Sequence, residues 1–417
     1  MSASIDSLAT LRDPRTIRAR ASAITHAVDD GRSGIFSLDR SKLPEAARRV
    51  EAVIRARYPD LVIPYHSRWR HFEAGDIDRK AELDALLAGR SVAEQARARF
   101  DLTVVSVLLD AGAGVQWRYK EPGVEHGQQS YSRSEGLGVA SFRAFVSGAF
   151  SASPDEPLRA DAAALQRIDT AALRSLFQVS PSNPLVGLDG RAALLSRLGS
   201  ALLFEAGRDG APARPGLVFD RVTANGQRSE VAAADVLQEL LRCFAPIWGS
   251  GNKVKGVPAG DVWPHHWAGA ETGSGPDPVT AGWMPFHKLS QWLTYSLLEP
   301  LQWAGVRVTG LDALTGLPEY RNGGLLVDTG VIVPRQPRDL ARTWKPGDEF
   351  IIEWRALTVT LLDELAVLVR ERLGTTAQQM PLACILEGGT WAAGREIAKE
   401  LRDGAPPFVI DSDGTVF

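Results

Sequence analysis

Cysteine is nearly absent: among 417 residues only Cys243 and Cys384 occur, far apart and without a C-x-x-C pair. This scarcity excludes a disulfide framework and a cysteine zinc site, and it fits a reducing cytosol. Long apolar runs are lacking as well, since the stretches at 192–204 and 357–369 are interrupted by Arg197 and by Asp363 and Glu364. Neither reads as a membrane span, and no membrane partner is expected. The amino-terminal stretch mixes Arg12, Arg15, Arg18 and Arg20 with Asp6 and Asp13 around no apolar centre. That argues against a secretory signal and for a surface helix or a frayed start. An excess of one charge is missing too: a net charge of −3 gives no basic footprint, so no nucleic-acid partner is expected. No G-x-x-x-x-G-K-S/T sequence occurs, and the glycines between 310 and 324 lack the strand, turn and helix of a dinucleotide fold. ATP-dependent and nucleotide redox chemistry are disfavoured, and no cofactor is expected. His265 and His266 are adjacent rather than three or four apart, so one helix cannot aim both at a metal, and no metal site is expected.

What is present is the composition of a folded protein, 44% hydrophobic and 23% charged, with helical periodicity along most of the chain. Ser41 ahead of Leu43-Pro44-Glu45, followed by Ala46, Val50, Val53 and Ile54 on one face, predicts a helix. Similar patterns predict helices at 91–110, 161–177, 191–205, 231–244, 286–303, 356–373 and 392–403. Strand signals are few: the stretches 325–333 and 409–417 read as small hairpins. The expected fold class is therefore mainly α with a few short β-hairpins. A chain of this length suggests subdomains. The expected division is 1–150 as a helical region contributing to the pocket, 151–250 as a helical insertion and 251–417 as a motif-bearing helical core, with breaks near 151–157 and within 211–216. The segment 248–283 is rich in Gly, Pro, Trp and His and has little periodicity, a pattern shared by lids, substrate loops and seals between subdomains.

Charged groups set between apolar helical runs mark the place to look for chemistry, because a buried charge is costly unless paired or used. Between 286 and 355 three motifs follow one another: Phe286-His287-Lys288 with Gln291, Glu319-Tyr320-Arg321-Asn322 before Gly323-Gly324, and Glu353-Trp354-Arg355. Lys288 and Gln291 share a helix face with Tyr295. An interior lysine there needs a carboxylate or a substrate phosphate, whereas one that reaches the surface along its aliphatic stem needs neither. Glu319 and Arg321 precede an Asn-Gly-Gly turn signal, at an element end where functional groups are presented; the structural alternative is a surface ion pair beside a hairpin. Glu353 and Arg355 open a strongly apolar helix, either as a structural pair favoured by the helix dipole or as part of a site. His66 and Arg68 lie in an aromatic and cationic segment, 65–72, that suits a phosphate or planar ligand or anchors an aromatic surface. Asp110 ends an apolar helix ahead of Trp117.

Four motifs spread over the chain resemble the Urc/Urg-type protein family linked genetically to uracil catabolism in fungi and bacteria. They are Ser37-Leu38-Asp39-Arg40-Ser41-Lys42-Leu43, the 317–326 stretch, Glu387-Gly388-Gly389-Thr390-Trp391-Ala392-Ala393-Gly394-Arg395 and Ser412-Asp413-Gly414-Thr415-Val416-Phe417. That resemblance implies a role in pyrimidine salvage or breakdown. The order Lys288-x-x-Gln291, Glu319-Tyr320-Arg321, Glu353-Trp354-Arg355, with Leu109-Asp110-Ala111 ahead of Trp117, is also similar to the queuosine salvage proteins. Those are N-ribosyl hydrolases with a helical DNA-glycosylase-like fold, and an aspartate stands in them where Glu319 stands here. This second resemblance implies such a helical core, with Glu319 as the candidate carboxylate beside the anomeric carbon and Asp110 as the second choice of acid. Lys288 would hold a 5′-phosphate or orient the ribose. Gln291, Tyr320, Arg321, Asn322, Glu353 and Arg355 would support these groups, with His287 beside the lysine and Trp117 as a pocket wall.

Uracil breakdown by ring opening would yield ribosylurea or its 5′-phosphate, whose C–N bond must be cut before urea is used. The expected function is a metal-independent N-ribosyl hydrolase acting on such a riboside or ribotide. Two alternatives stay open: a uracil phosphoribosyltransferase-like enzyme, although no acidic diphosphate-binding motif is found, and a non-catalytic ligand-binding or scaffold protein of the same pathway.

Overall fold

Helices form where an apolar stripe follows a side chain able to cap it. The computed structural model describes residues 8–110, 112–123, 130–248, 252–269 and 279–411. Asp13 accepts the Arg15 amide at 2.9 Å and starts helix α1 (Pro14–Asp29), with proline in the first turn. The arginines of α1 suggested a surface helix. Instead Ile17, Ala21 and Ile24, at helical spacing, are buried against Ile352, Ala356 and Val359, and Arg20 is buried with them, donating to Thr280. Helix α2 (Leu43–Arg57) buries Ala46, Val50, Val53 and Ile54, the face expected from the sequence. Ser91 caps α3 (Val92–Leu108) through the Glu94 amide at 3.2 Å. Helix α4 (Arg133–Val146) packs beside it. The helix expected at 161–177 is two short ones, Ala162–Arg167 and Thr170–Leu176, because Asp161 and Asp169 each cap a separate start. Then come α5 (Leu188–Asp209), α6 (Ala233–Phe244), α7 (Lys288–Trp303), α8 (Tyr320–Asp328), α9 (Glu349–Leu373) and α10 (Trp391–Arg402).

Among the described residues there are sixteen α-helices, and every sheet is a two-stranded pairing, so the fold is mainly α. The expected hairpin at 325–333 is not formed. Residues up to Asp328 continue α8, and Ile332–Pro334 instead pairs antiparallel with Phe36–Leu38. The Asn-Gly-Gly signal reflects packing rather than a turn: a Cβ on Gly323 would lie 2.8 Å from the Trp354 ring and from Thr358 Oγ1. At the other end Val409–Ile410 runs parallel to Thr343–Trp344. The rest of the expected 409–417 hairpin, including the 412–417 motif, lies outside the described residues.

One hydrophobic cluster, running in sequence from Val28 to Phe408, draws on all three segments expected from the sequence, with Val50, Leu102, Leu195, Leu240, Leu297 and Leu357 among its members. Within 248–283, Val262–Pro264 pairs antiparallel with Trp283–Pro285 and so delivers Asp261 to the start of α7. No helix among the described residues is long and apolar enough to cross a membrane.

Candidate active site

One buried carboxylate links the start of α7 to the second turn of α9 and, through Arg355, to the turn before α8. Asp261 accepts both terminal nitrogens of Arg355, at 2.8 and 2.7 Å, the Trp263 indole N–H at 2.6 Å and the Lys288 amide at 3.0 Å. Burial alone would push this carboxyl up. The Arg355 guanidinium and the hydrogen bonds outweigh burial and hold it below the usual carboxylate range. Arg355 in turn lies 4.0 Å over the Phe286 ring and donates from Nε to Pro318 O at 3.4 Å, so the same pair steadies the turn that precedes Glu319. Gln291 acts on that turn too: its amide oxygen accepts the Thr315 N–H at 2.9 Å, while the Tyr295 hydroxyl donates to Thr315 O at 3.0 Å. His287 takes a left-handed backbone conformation (φ 49°), and its ring Nε2 pairs with Leu11 O at 2.8 Å. Asp261 lies in the aperiodic 248–283 stretch, and nothing local in the sequence singles it out.

This scaffold presents Lys288 and Glu319 to one cavity of about 390 Å³, lined also by Asp110, His66, Tyr320 and Arg321. Glu319 is the N-cap of α8, its two oxygens accepting the Asn322 amide at 2.6 Å and the Arg321 amide at 2.9 Å. Two backbone donors at a helix N-terminus fix the carboxylate's orientation. Asn322 is buried behind it and donates to Leu317 O at 3.1 Å. The Lys288 ammonium makes no hydrogen bond or ion pair among the described residues. Burial lowers its pKa, and the nearby Glu319 charge offsets part of that effect. Arg321 stacks 4.0 Å over Trp391 and 4.9 Å over Tyr320, whose phenol burial pushes up.

Asp110 accepts Arg68 Nη1 at 2.8 Å, and Arg68, fully buried, also donates to Ser106 Oγ at 2.6 Å. Arg68 therefore lies behind the cavity, holding Asp110. His66 pairs through Nδ1 with Glu387 Oε2 at 2.8 Å. Trp117 is buried against Gly136, donates to Phe177 O at 2.9 Å and does not line the cavity. Glu353 accepts the Ser33 hydroxyl at 2.6 Å, away from Lys288 and Glu319.

The cavity contains groups that the sequence did not single out, among them His71, Arg133, Trp292 and Trp391. His71 meets Trp292 edge-on at 5.8 Å, and burial keeps its imidazole well below the ordinary histidine value. The cation-rich 65–72 segment was the signal for it, and the Gly-Gly-Thr-Trp motif the signal for Trp391. His265, His266 and Glu349 also converge, with donor atoms within 4.8 Å of one another. His266 Nδ1 lies 2.6 Å from Glu349, while His265 Nε2 lies 3.8 Å from Glu349 and 3.7 Å from Glu353. His265 Nδ1 accepts the Trp267 amide at 3.3 Å, which leaves the proton of the neutral ring on Nε2, facing the two carboxylates. The group is a histidine and carboxylate cluster bridging the segment just after the Val262–Pro264 strand and α9.

A profile of the family described as "Protein of unknown function (DUF1688)" matches residues 10–417. The chain is 40% identical over 423 residues to Protein urg3 of Schizosaccharomyces pombe, covering 99% of this chain and 100% of that protein. It is 37% identical over 417 residues to Uracil catabolism protein 4 of Lachancea kluyveri, covering 93% of each.

Proposed function

The chain belongs to the DUF1688 family, and on that premise we propose that it acts in uracil catabolism as an N-ribosyl hydrolase, cleaving the C–N bond of ribosylurea or of its 5′-phosphate. The pathway is the one for which a relative, Uracil catabolism protein 4, is named. The chemistry is argued from the cavity. Cutting a ribosyl C–N bond builds positive charge on the sugar, so a carboxylate close to the anomeric carbon stabilises that charge or activates water.

The observation that carries this reading is that Glu319, held by two backbone amides, shares a cavity with Lys288, whose ammonium has no partner among the described residues. A carboxylate fixed in this way needs little rearrangement when charge develops. Lys288 and Arg321, with Arg133 on the same lining, give the cavity cations for a phosphate or for ribose hydroxyls, and Tyr320, Trp292 and Trp391 give it aromatic walls. A volume of about 390 Å³ suits a small ligand.

The test is to incubate the purified protein with ribosylurea and, separately, with its 5′-phosphate, and to quantify urea and free sugar. Hydrolysis releases the two in equal amounts without added diphosphate. Turnover that depends on diphosphate would point to phosphoribosyl transfer instead.

A further inference from the structure

Hydrolysis of a ribosylurea leaves a strongly basic nitrogen that must be protonated as it departs. Several groups lining the cavity are already occupied or unsuited. Asp110 is held by Arg68, and Glu319 accepts two amides. His71 is kept neutral by burial, and the Tyr320 phenol is pushed up. Lys288 carries protons but has nothing among the described residues to fix its ammonium.

His66 is different. It is 8% exposed yet lines the cavity, with its backbone amide on Ala383 O at 3.0 Å and its Nδ1 on Glu387 Oε2 at 2.8 Å. The Trp292 and Trp391 rings lie 6.3 Å from the imidazole, one contact each, and limit how it can turn. Its second nitrogen, Nε2, makes no hydrogen bond among the described residues. Glu387 owes its place to a π-helical segment, Leu386–Thr390, set between the short helix Leu382–Ile385 and α10. Such wide turns are rare and often mark functional positions. Gly388 and Gly389 allow this one to press on α2 and the segment that follows it, where a Cβ on Gly388 would crowd Ile63 and one on Gly389 would crowd Val50 of α2. Arg57 reaches the same carboxylate from α2, its Nη2 at 3.8 Å from Glu387 Oε1.

We propose that His66 is the general acid of this cavity and that Glu387 is the residue that positions it, an assignment that rests on the hydrolase reading above. Glu387 takes the Nδ1–H, which turns Nε2–H toward the ligand. In the step, the C–N bond breaks with its electron pair going to nitrogen, and nitrogen takes the Nε2 proton. A water oxygen bonds to the anomeric carbon and gives its proton to Glu319. Solvent returns the proton from Glu319 to His66, and the balance is one water consumed for one urea and one sugar released.

The experiment compares ribosylurea with 4-nitrophenyl β-D-ribofuranoside, whose phenolate leaves without protonation. H66N keeps a nitrogen near the Nδ1 position but has no Nε2, while E387A removes the positioning carboxylate and E387D shortens it. On ribosylurea, H66N and E387A are expected to lose about 10²- to 10³-fold in kcat with KM little changed, and E387D to recover part of the loss. On the nitrophenyl riboside the same variants are expected to lose less than about 10-fold, with unfolding temperatures close to wild type. Equal losses on both substrates would overturn the assignment and leave His66 a binding or structural residue. Wild-type activity undiminished in H66N would overturn it as well. Wild-type protein that cleaves neither substrate would overturn the hydrolase reading, and this assignment with it.

Discussion

Glu319 is fixed by the fold and presented to the cavity at once. The carboxylate that caps α8 is also the one facing the cavity, whereas the lysine that opens α7 has no structural duty and a depressed pKa. Burial makes the charged lysine a cost at neutral pH, relieved only as pH rises through its lowered folded-state pKa. Lys288→Met is therefore expected to raise the unfolding temperature by about 1–3 °C while raising KM for the 5′-phosphate substrate about 10-fold or more, as thermal denaturation and steady-state kinetics would show. A stabilised variant with unchanged KM would remove Lys288 from the site. Both residues were legible because charges stand out between apolar runs. Asp261 and Glu387 were not, since their meaning comes from partners distant in sequence, Arg355 for the first and His66 for the second.

At the scale of elements, the helices with a side-chain cap and a clean apolar face, such as α2 and α3, could be read directly. The misreading of 325–333 came from two apolar triplets around Asp328-Thr329-Gly330, which the structure divides between the end of α8 and a strand that pairs elsewhere, while Gly323 lets α8 lie against Trp354 of α9. Gly323→Ala is accordingly expected to cost about 1–3 kcal/mol, seen as a lower urea midpoint, and to reduce activity through the displaced Glu319. Full stability in this variant would contradict the close packing. Asp261 bonds both the start of α7 and Arg355 of α9, so Asp261→Asn removes the charge opposite buried Arg355 at a cost of about 3 kcal/mol or more. Differential scanning calorimetry should find it among the most destabilising single substitutions in the protein. The division of 161–177 was missed because Asp169 reads equally well as a surface residue inside one helix and as the cap of a second.

For the whole molecule, the mainly α class and the family resemblance were recoverable from pattern and motif. The cavity was not, because its walls come from residues as far apart as His66, Arg133, Glu319 and Trp391. Two histidines, one of them in the cavity wall, also bear on stability. Burial keeps the imidazoles of His71 and His287 below the ordinary value, so the unfolded chain binds protons before the native one as pH falls below about 6.5. Stability is then fully present above that pH and declines on acidification, by up to about 1.4 kcal/mol per pH unit for each histidine. Chemical denaturation at pH 7 and pH 5.5 should show the decline, and His71→Phe should make it shallower by one proton. An unchanged slope in that variant would place the linkage elsewhere.

The central claim is that the carboxylate of Glu319 and the cation of Lys288 cleave a ribosyl C–N bond within one cavity. Urea release from ribosylurea and its 5′-phosphate, measured side by side for wild type and Glu319→Gln, tests it most directly. The expected result is release from at least one substrate by wild type and a loss of about 100-fold or more in the variant, with its fold intact. Release from neither substrate, or equal release by the two proteins, would contradict the account.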